Sequence, residues 1–301
     1  MSALPAAVAA PAAHPARGIL LMVATVCSFA TMEAIVKWLS QSYPVPMITW
    51  ARYLVQVLLM LVVFWPRMGP RILVTRRPGM QVLRGALLGV ASLTFFTGLA
   101  GIPLAEATAI SSIGPILVTV FAVLLLGEKA PAGTAWALAA SFCGVLLIVR
   151  PGSSVFAWSA LWPLASAFCY AGYQLLTRRL AGVDDGNATL LLGALVATGA
   201  LSLMVPFHWA TPRNLIDLGL LVATGAIGAL GHFTLVRALE SAPATLLAPF
   251  SYLHLVVSLF LGLLVFGTFP DGIALAGIGL IVASGIVMLV RSRRAVDPVE
   301  D

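Results

Sequence analysis

The sequence predicts an all-α integral membrane protein with ten transmembrane helices, arranged as two inverted five-helix repeats. Three observations lead to this prediction. The 301 residues are 60% hydrophobic and only 9% charged, with a mean hydropathy of +1.04. Apolar runs long enough to cross about 30 Å of hydrocarbon recur along the whole chain. One helical segment with a distinctive set of polar and helix-breaking residues occurs in each half.

This composition excludes several classes of protein. A soluble domain carries about 25% charged residues, and a soluble chain of this length could not bury so many apolar side chains. The repeated apolar runs also exclude a soluble domain on a single anchor, and they lack the strict alternation of a β-barrel. The three cysteines lie inside apolar runs without a CxxC pattern, so we interpret them as small buried side chains: Cys27, Cys143 and Cys169.

Ten spans result from dividing the chain at prolines, glycines and clusters of charge. Most connections between them are short, so we expect neighbouring helices to pack antiparallel and no separate extramembrane domain. Residues 1–17, rich in Ala and Pro, are predicted to form a disordered cytoplasmic tail, and 292–301 a second cytoplasmic tail. The predicted spans are 18–39, 46–65, 79–99, 104–126, 131–149, 157–178, 188–206, 214–237, 243–266 and 270–290.

The Lys and Arg residues predict the orientation. With the N-terminus inside, thirteen of them fall on the cytoplasmic side and only two outside, while Lys37 and Arg52 lie within spans. The positive-inside rule therefore predicts that both termini are cytoplasmic, and it explains the net charge of +6 without nucleic-acid binding. The inside residues are Arg17, Arg67, Arg71, Arg76, Arg77, Arg84, Lys129, Arg178, Arg179, Arg237, Arg291, Arg293 and Arg294; the outside ones are Arg150 and Arg213.

The segment from Leu104 to Lys129 has a counterpart from Ala242 to Thr268. Both contain an Ala-Thr step near the start, an internal proline and a glycine near the end. The copies are about 140 residues, or five spans, apart. Because five is odd, the second copy enters the membrane from the opposite side, as in the inverted repeats of secondary transporters. We therefore predict a first repeat at 18–150 and a second at 151–291.

Two charged residues are expected at similar depth in the first two spans. Counting 1.5 Å per residue from the inner end places Glu33 roughly 22 Å and Arg52 roughly 20 Å into the membrane. A pair between Glu33 and Arg52 is therefore geometrically possible, with Lys37, one turn from Glu33, as a competing partner. Such a pair either locks the two helices together or provides a carboxylate that contacts substrate or couples transport to an ion.

Five further polar or aromatic residues at membrane depth are candidates for a substrate cavity. Histidine titrates near neutral pH, and tyrosine and glutamine offer hydrogen bonds without a charge, although each of these side chains also serves in ordinary packing. In addition, Pro115 and Pro249 each remove a backbone hydrogen bond inside a repeated helix, and we expect kinks there along the transport path. The five candidates are Tyr170, Gln174, His232, Tyr252 and His254.

Longer motifs resemble a known family. The segments PLAEATAISSIGP with LLLGEK (103–129), RALESAPATLLAPFSY (237–252) and FGTFPD (266–271) are similar to the EamA-type permeases of the drug/metabolite transporter superfamily. The resemblance implies ten helices in two inverted repeats, a central cavity and alternating access. The second repeat has Gly267-Thr268 where the family often carries Gly-Glu, whereas the first keeps Gly127-Glu128.

These observations predict a multi-pass bacterial inner-membrane secondary transporter for a small polar metabolite of the riboflavin, amino acid, nucleobase or S-adenosylmethionine class. The alternatives are a low-affinity metabolite or drug exporter of the same fold, a passive channel, a membrane-embedded enzyme and a scaffold. No enzyme motif, cofactor or metal site is indicated. The expected partners are a small-molecule substrate and the lipid bilayer, not nucleic acid. Proton or sodium coupling, transport direction, and a monomer or homodimer state remain open.

Overall fold

The computed structural model describes residues 15–127, 133–153, 156–180, 182–242 and 244–296, with only the backbone at 15, 126, 244–245, 248–249, 289 and 291–296. These ranges contain twelve α-helices and three short 3-10 turns, and no strand among them. The helices are α1 Pro15–Leu39, α2 Val45–Met68, α3 Pro78–Gly101, α4 Leu104–Ser111, α5 Gly114–Leu126, α6 Thr134–Val149, α7 Leu161–Leu180, α8 Gly186–Ser202, α9 Leu215–Ser241, α10 Ala244–Ser251, α11 Leu253–Phe266 and α12 Gly272–Val296.

The twelve helices make ten spans, because α4 and α5 form one interrupted span and α10 and α11 form another. Five segments are long and apolar enough to cross a membrane alone: 16–39, 45–73, 78–101, 104–125 and 215–241. Most observed boundaries lie within four residues of the predicted ones. Most of the two predicted tails, along with Glu128 and Lys129, lies outside the described residues.

The two interrupted helices differ from simple proline kinks. Pro115 lies in the first turn of α5. It cannot donate a backbone hydrogen bond to the carbonyl of Ser111, so the first half-helix ends and a new one begins. In the second repeat the break falls at Tyr252, and Pro249 belongs to α10 just before it. Only the backbone of Pro249 is described. The expected interior kink at Pro115 is therefore a break between two helices.

Packing runs between the repeats more than along the chain. Helix α1 packs most extensively on α9, and α3 packs on α7 in the same way. Exchanging the two repeats by a two-fold rotation puts α7 in the place of α1, α8 in the place of α2 and α9 in the place of α3. The α1–α9 contact then becomes the α7–α3 contact, and the α2–α9 contact becomes the α8–α3 contact, and all four are observed. The expectation that consecutive helices pack against each other is therefore wrong for α1 and α2, because each buries its main face against the other repeat.

Glycines allow a close helix approach between α6 and α12. A Cβ on Gly144 would lie 2.7 Å from the carbonyl oxygen of Gly277, and a Cβ on Gly277 would lie 2.6 Å from that of Gly144. Close to this crossing, the hydroxyls of Ser141 and Ser284 form a buried hydrogen bond of 2.5 Å. Inside a membrane the hydrophobic effect does not favour helix–helix contacts over helix–lipid contacts. Small residues that pack closely and a polar link of this kind therefore hold the helices together.

Arg84 does not flank the membrane surface as predicted. Its side chain is only 1% exposed and lies between α3, α7 and α8. The guanidinium donates hydrogen bonds to Thr177 Oγ1 at 2.8 Å, the carbonyl oxygen of Thr189 at 2.8 Å and the hydroxyl of Tyr173 at 2.9 Å. Arg84 is therefore not a free flanking charge, because it joins three helices from the two repeats, and its side of the membrane stays a prediction.

Candidate functional site

A cavity of about 330 Å³ lies between the two repeats and is the candidate substrate site. Residues from α1, α2, α3, α7 and α9 line it, together with residues around both helix breaks. Of the seven predicted site residues, six line this cavity: Glu33, Arg52, Tyr170, His232, Tyr252 and His254. Pro115 also lines it.

Glu33 pairs with His254 at one side of the cavity. His254 Nε2 lies 3.2 Å from Glu33 Oε2, and Glu33 is only 7% exposed. Two buried hydroxyls complete the cluster: Thr108 Oγ1 lies 3.5 Å from the same carboxylate oxygen and 3.3 Å from Ser258 Oγ. The cluster joins α1, α4 and α11, so it connects both repeats through one interrupted helix from each.

Neither cation that the sequence offered as a partner for Glu33 forms a salt bridge with it. Lys37 Nζ instead donates to the carbonyl oxygens of Leu99 and Ile102, at 2.8 and 2.7 Å, where α3 ends. Arg52 makes no salt bridge within the part of the chain that the structure describes. The correct partner, His254, is about 220 residues away in sequence, and it reaches Glu33 because α1 packs on α11 as well as on α9.

Arg52 is 4% exposed and is held by apolar and aromatic groups. Its Nε lies 3.0 Å from Met32 Sδ, and its guanidinium carbon lies 4.6 Å from the ring centre of Tyr53 and 5.8 Å from that of Phe96. Gly228 of α9 leaves room for the group, since a Cβ there would lie 3.3 Å from Arg52 Nε. Among the described residues, Nη1 is buried without a hydrogen-bond partner.

Gln174 is the one predicted site residue outside the cavity lining. Its Nε2 donates a hydrogen bond to the hydroxyl of Tyr170 at 3.1 Å, so it supports a lining residue from one turn away. The Tyr170 ring also stacks on Tyr173, with ring centres 5.6 Å apart. Gln174 therefore supports the cavity from behind Tyr170, whereas Glu33 lines it directly.

His232 and Tyr252 line the cavity and also contact features outside it, namely a second cavity and α12. The imidazole of His232 contacts the ring of Phe29 edge to face, with centres 5.1 Å apart, and it also lines a second cavity between α2, α8 and α9. The hydroxyl of Tyr252 packs against Gly285 of α12, where a Cβ would collide with it. His232 therefore separates two cavities, and Tyr252 fixes one helix break against α12.

Several lining residues were not predicted from sequence. Each of those named below carries either an aromatic ring or a hydroxyl. The serines at the helix breaks carried a usable signal, because they flank the Gly-Pro step and its counterpart. The other lining residues cannot be told from ordinary core residues in the sequence, because their exposure to the cavity depends on how the two repeats pack. The unpredicted lining residues include Phe29, Phe95, Phe96, Ser92, Thr108, Ser111, Ser112, Ser166 and Ser251.

Charged contacts outside the spans connect the helix ends. Asp184, between α7 and α8, accepts hydrogen bonds from the backbone N–H of Arg76 at 2.9 Å, Thr75 Oγ1 at 2.5 Å and Gln81 Nε2 at 2.9 Å. These donors, led by the Arg76 amide, lower the pKa of Asp184. At the opposite end of the helices, Arg150 pairs with Asp271, and that hydrogen bond lowers the pKa of Asp271.

No cluster of three or more metal-ligating side chains occurs within the described ranges. The cavity therefore offers one ion pair, one guanidinium, hydroxyls and aromatic faces. This set can hold a small molecule by a charged contact, hydrogen bonds and ring stacking.

Comparison with known proteins places this architecture in a family. The profile of the EamA-like transporter family matches residues 16–150 and again 157–290. The pseudopaline exporter CntI of Pseudomonas aeruginosa (strain UCBPP-PA14) is 30% identical over 281 residues, which cover 92% of this chain and 97% of that protein. A riboflavin transporter of Rhizobium johnstonii is 28% identical, covering 92% and 93% of the two chains.

An S-adenosylmethionine uptake transporter of Rickettsia conorii is 28% identical, covering 80% of this chain and 81% of that one. A solved crystal structure superposes with a TM-score of 0.65 over 94% of this chain and 99% of its own, at 21% identity, which supports the fold alone. The two profile matches cover nearly the whole chain. This protein is therefore a multi-pass membrane protein of the EamA-like transporter family, within the drug/metabolite transporter superfamily.

Proposed function

We propose that this protein is an inner-membrane secondary transporter that moves a small metabolite by alternating access. The observation that carries the proposal is the cavity between the two repeats, which both interrupted helices line. Two halves of similar structure that meet around a central site can rock between inward-open and outward-open arrangements. The named relatives transport small molecules, which supports the same role here, while the substrate and direction belong to the proposal.

We assign coupling to the pair of Glu33 and His254. A carboxylate and an imidazole 3.2 Å apart are close enough for a proton to pass between them, although His254 Nε2 makes no hydrogen bond among the described residues, and both groups border the cavity. Substrate entry can then displace the proton, or proton entry can release the substrate. A proton suits the pair better than sodium does, because a sodium ion would have to bind beside a histidine that is itself able to carry positive charge.

Reconstitution of the full-length protein in liposomes tests this function. The assay follows labelled riboflavin, S-adenosylmethionine and amino acids, first in counterflow and then in net uptake driven by an imposed pH or sodium gradient. A carrier shows counterflow at modest substrate concentrations, and the pH gradient alone should drive net movement. Flux without counterflow indicates a passive channel, and movement only at high concentration indicates a low-affinity exporter.

The variant Glu33→Gln should abolish net proton-driven transport while the protein still inserts and folds. The matched control is Glu106→Gln, which removes a carboxylate in the first turn of α4 that does not line the cavity. We expect the control to retain proton-driven transport. Normal net transport by Glu33→Gln would remove this carboxylate from the coupling mechanism.

A further inference from the structure

Arg52 is a buried cation that has no anionic partner among the described residues. It is 4% exposed, and within the described residues its hydrogen bonding is limited to the contact of Nε with Met32 Sδ. A guanidinium has five N–H donors, and thioether sulfur is a weak acceptor. Leaving such a group buried and unpaired is costly, and most buried charges are paired. The donor Nη1 is left without any acceptor.

Arg84 is a buried arginine with a structural role, and its hydrogen bonds provide a comparison for Arg52. It occupies the junction of α3, α7 and α8, which the two-fold operation relates to the junction of α9, α1 and α2 around Arg52. At its junction, Arg84 uses Nε, Nη1 and Nη2 in three hydrogen bonds to oxygen acceptors. Corresponding acceptors do not face Arg52, although it lines the cavity and Arg84 does not.

The charges that face the cavity leave Arg52 uncompensated. Glu33 is the one carboxylate among the described lining residues, and it lies beside His254 and forms no salt bridge with Arg52. Lys37 is bound to carbonyl oxygens at the end of α3 and does not line the cavity. His232 adds no negative charge. Among the described lining residues, Arg52 is therefore a charged group without an adjacent counter-charge.

We propose that the transported substrate is a small organic carboxylate with an apolar or aromatic body, and that Arg52 binds its carboxylate. This inference rests on the proposed function, because it takes the cavity as the transport site. Arginine binds a carboxylate through two parallel hydrogen bonds. One guanidinium matches the single charge of a carboxylate, whereas a phosphate monoester carries nearly two negative charges. The rings of Phe29, Phe95 and Phe96 provide the surface for the apolar body.

The test compares carboxylic acids with their neutral amides on the purified full-length protein in detergent. The probes are acetate and acetamide, benzoate and benzamide, and 3-phenylpropionate and 3-phenylpropionamide, at constant ionic strength. A ligand that binds the folded state raises the thermal midpoint. We expect each acid to raise it more than its amide does, with the two aromatic acids above acetate. Amides that match their acids in the wild type would overturn the proposal.

Arg52 variants locate the effect. Arg52→Gln should raise the half-saturating concentration of the aromatic acids by about tenfold or more, because a charge-assisted contact is lost, and should leave the amides unchanged. Arg52→Lys keeps the charge without the paired donors and should fall in between. Acid binding that Arg52→Gln does not weaken would overturn the proposal.

A second measurement separates a binding role from a structural one. Without ligand, Arg52→Gln should keep or raise the thermal midpoint because an unpaired charge is removed, whereas Arg84→Gln should lower it because three hydrogen bonds are lost. An equal loss in both variants would make Arg52 structural. If the protein carries out counterflow of a neutral compound, and Arg52→Gln does not reduce that counterflow, only the proposed substrate class is overturned. If the folded protein transports none of the tested compounds, the transport proposal is overturned.

Discussion

Asp184 holds two connecting segments together at one end of the helices. Its carboxylate accepts from Arg76, Thr75 and Gln81, and Gln81 also donates to Thr189 at the start of α8. These donors favour the charged carboxylate, so the pKa of Asp184 is lower in the folded state. The contribution to stability is present above the unfolded pKa of about 4 and is lost as pH falls through the lower folded pKa.

We therefore expect Asp184→Asn to lower the thermal midpoint at pH 7, with the difference from wild type shrinking as pH falls below about 4. The measurement is the unfolding midpoint of both proteins in detergent from pH 7 to pH 3. Asp185→Asn is the matched control, because Asp185 caps α8 and asparagine caps a helix equally well. A midpoint difference that persists unchanged at pH 3 would contradict the assigned role of the Asp184 charge.

Two kinds of element give this fold its properties: interrupted helices and glycine crossings. The interruptions bring hydroxyls and the ends of half-helices to the cavity. The crossing of α6 with α12 does the opposite, since it places two backbones in direct contact through Gly144 and Gly277. One kind of element creates space for a substrate, and the other holds the last helix of each repeat tightly against its counterpart.

The glycine crossing predicts a difference between two glycines of α12. Gly277→Ala should destabilise the protein by about 1–3 kcal/mol, because its Cβ would lie 2.6 Å from the backbone oxygen of Gly144, which cannot rotate away. Gly279→Ala has open space around it and should be neutral or stabilise by about 0.5–1 kcal/mol, since alanine favours a helix. Equal effects of both changes on the thermal midpoint would contradict this packing.

At the scale of the whole molecule, the inverted repeat determines which connections share a side of the membrane. The charge distribution predicts that the connection between α7 and α8 is inside and that the one between α8 and α9 is outside. The burial of Arg84 removes one charge from the inside count, but Arg76 and Arg77, in the connection before α3, remain. The predicted orientation therefore still has a large excess of positive charge on one side.

Thiol labelling of intact cells checks this orientation. After Cys27, Cys143 and Cys169 are replaced by alanine, a membrane-impermeant maleimide should label Arg213→Cys from outside and should label Asp185→Cys only after lysis. Arg213 is exposed in the connection before α9, and Asp185 is exposed at the start of α8. Access of the label to either position therefore depends on the side of the membrane and not on burial. Labelling of Asp185→Cys in intact cells, with Arg213→Cys protected, would reverse the topology.

Much of the fold and part of the site were predictable. Hydropathy reports local solvent preference, so the ten spans emerged with nearly correct ends, and the repeated polar pattern identified the two interrupted helices. Six cavity residues were recognisable because polar side chains at membrane depth usually face a cavity or a partner. Gln174 met the same criterion, yet its helix face turns it toward Tyr170.

The sequence by itself determined the membrane class, the spans, the repeat and the resemblance to the EamA family, because these depend on composition and on order along the chain. Only the tertiary structure decided that Glu33 meets His254, that Arg84 is buried and satisfied, and that Arg52 has no anionic partner in the part of the chain that is described. Depth along a helix can be counted from a sequence. Which helices lie side by side depends on packing between the repeats, and here α1 packs on α9 and α11 rather than mainly on α2.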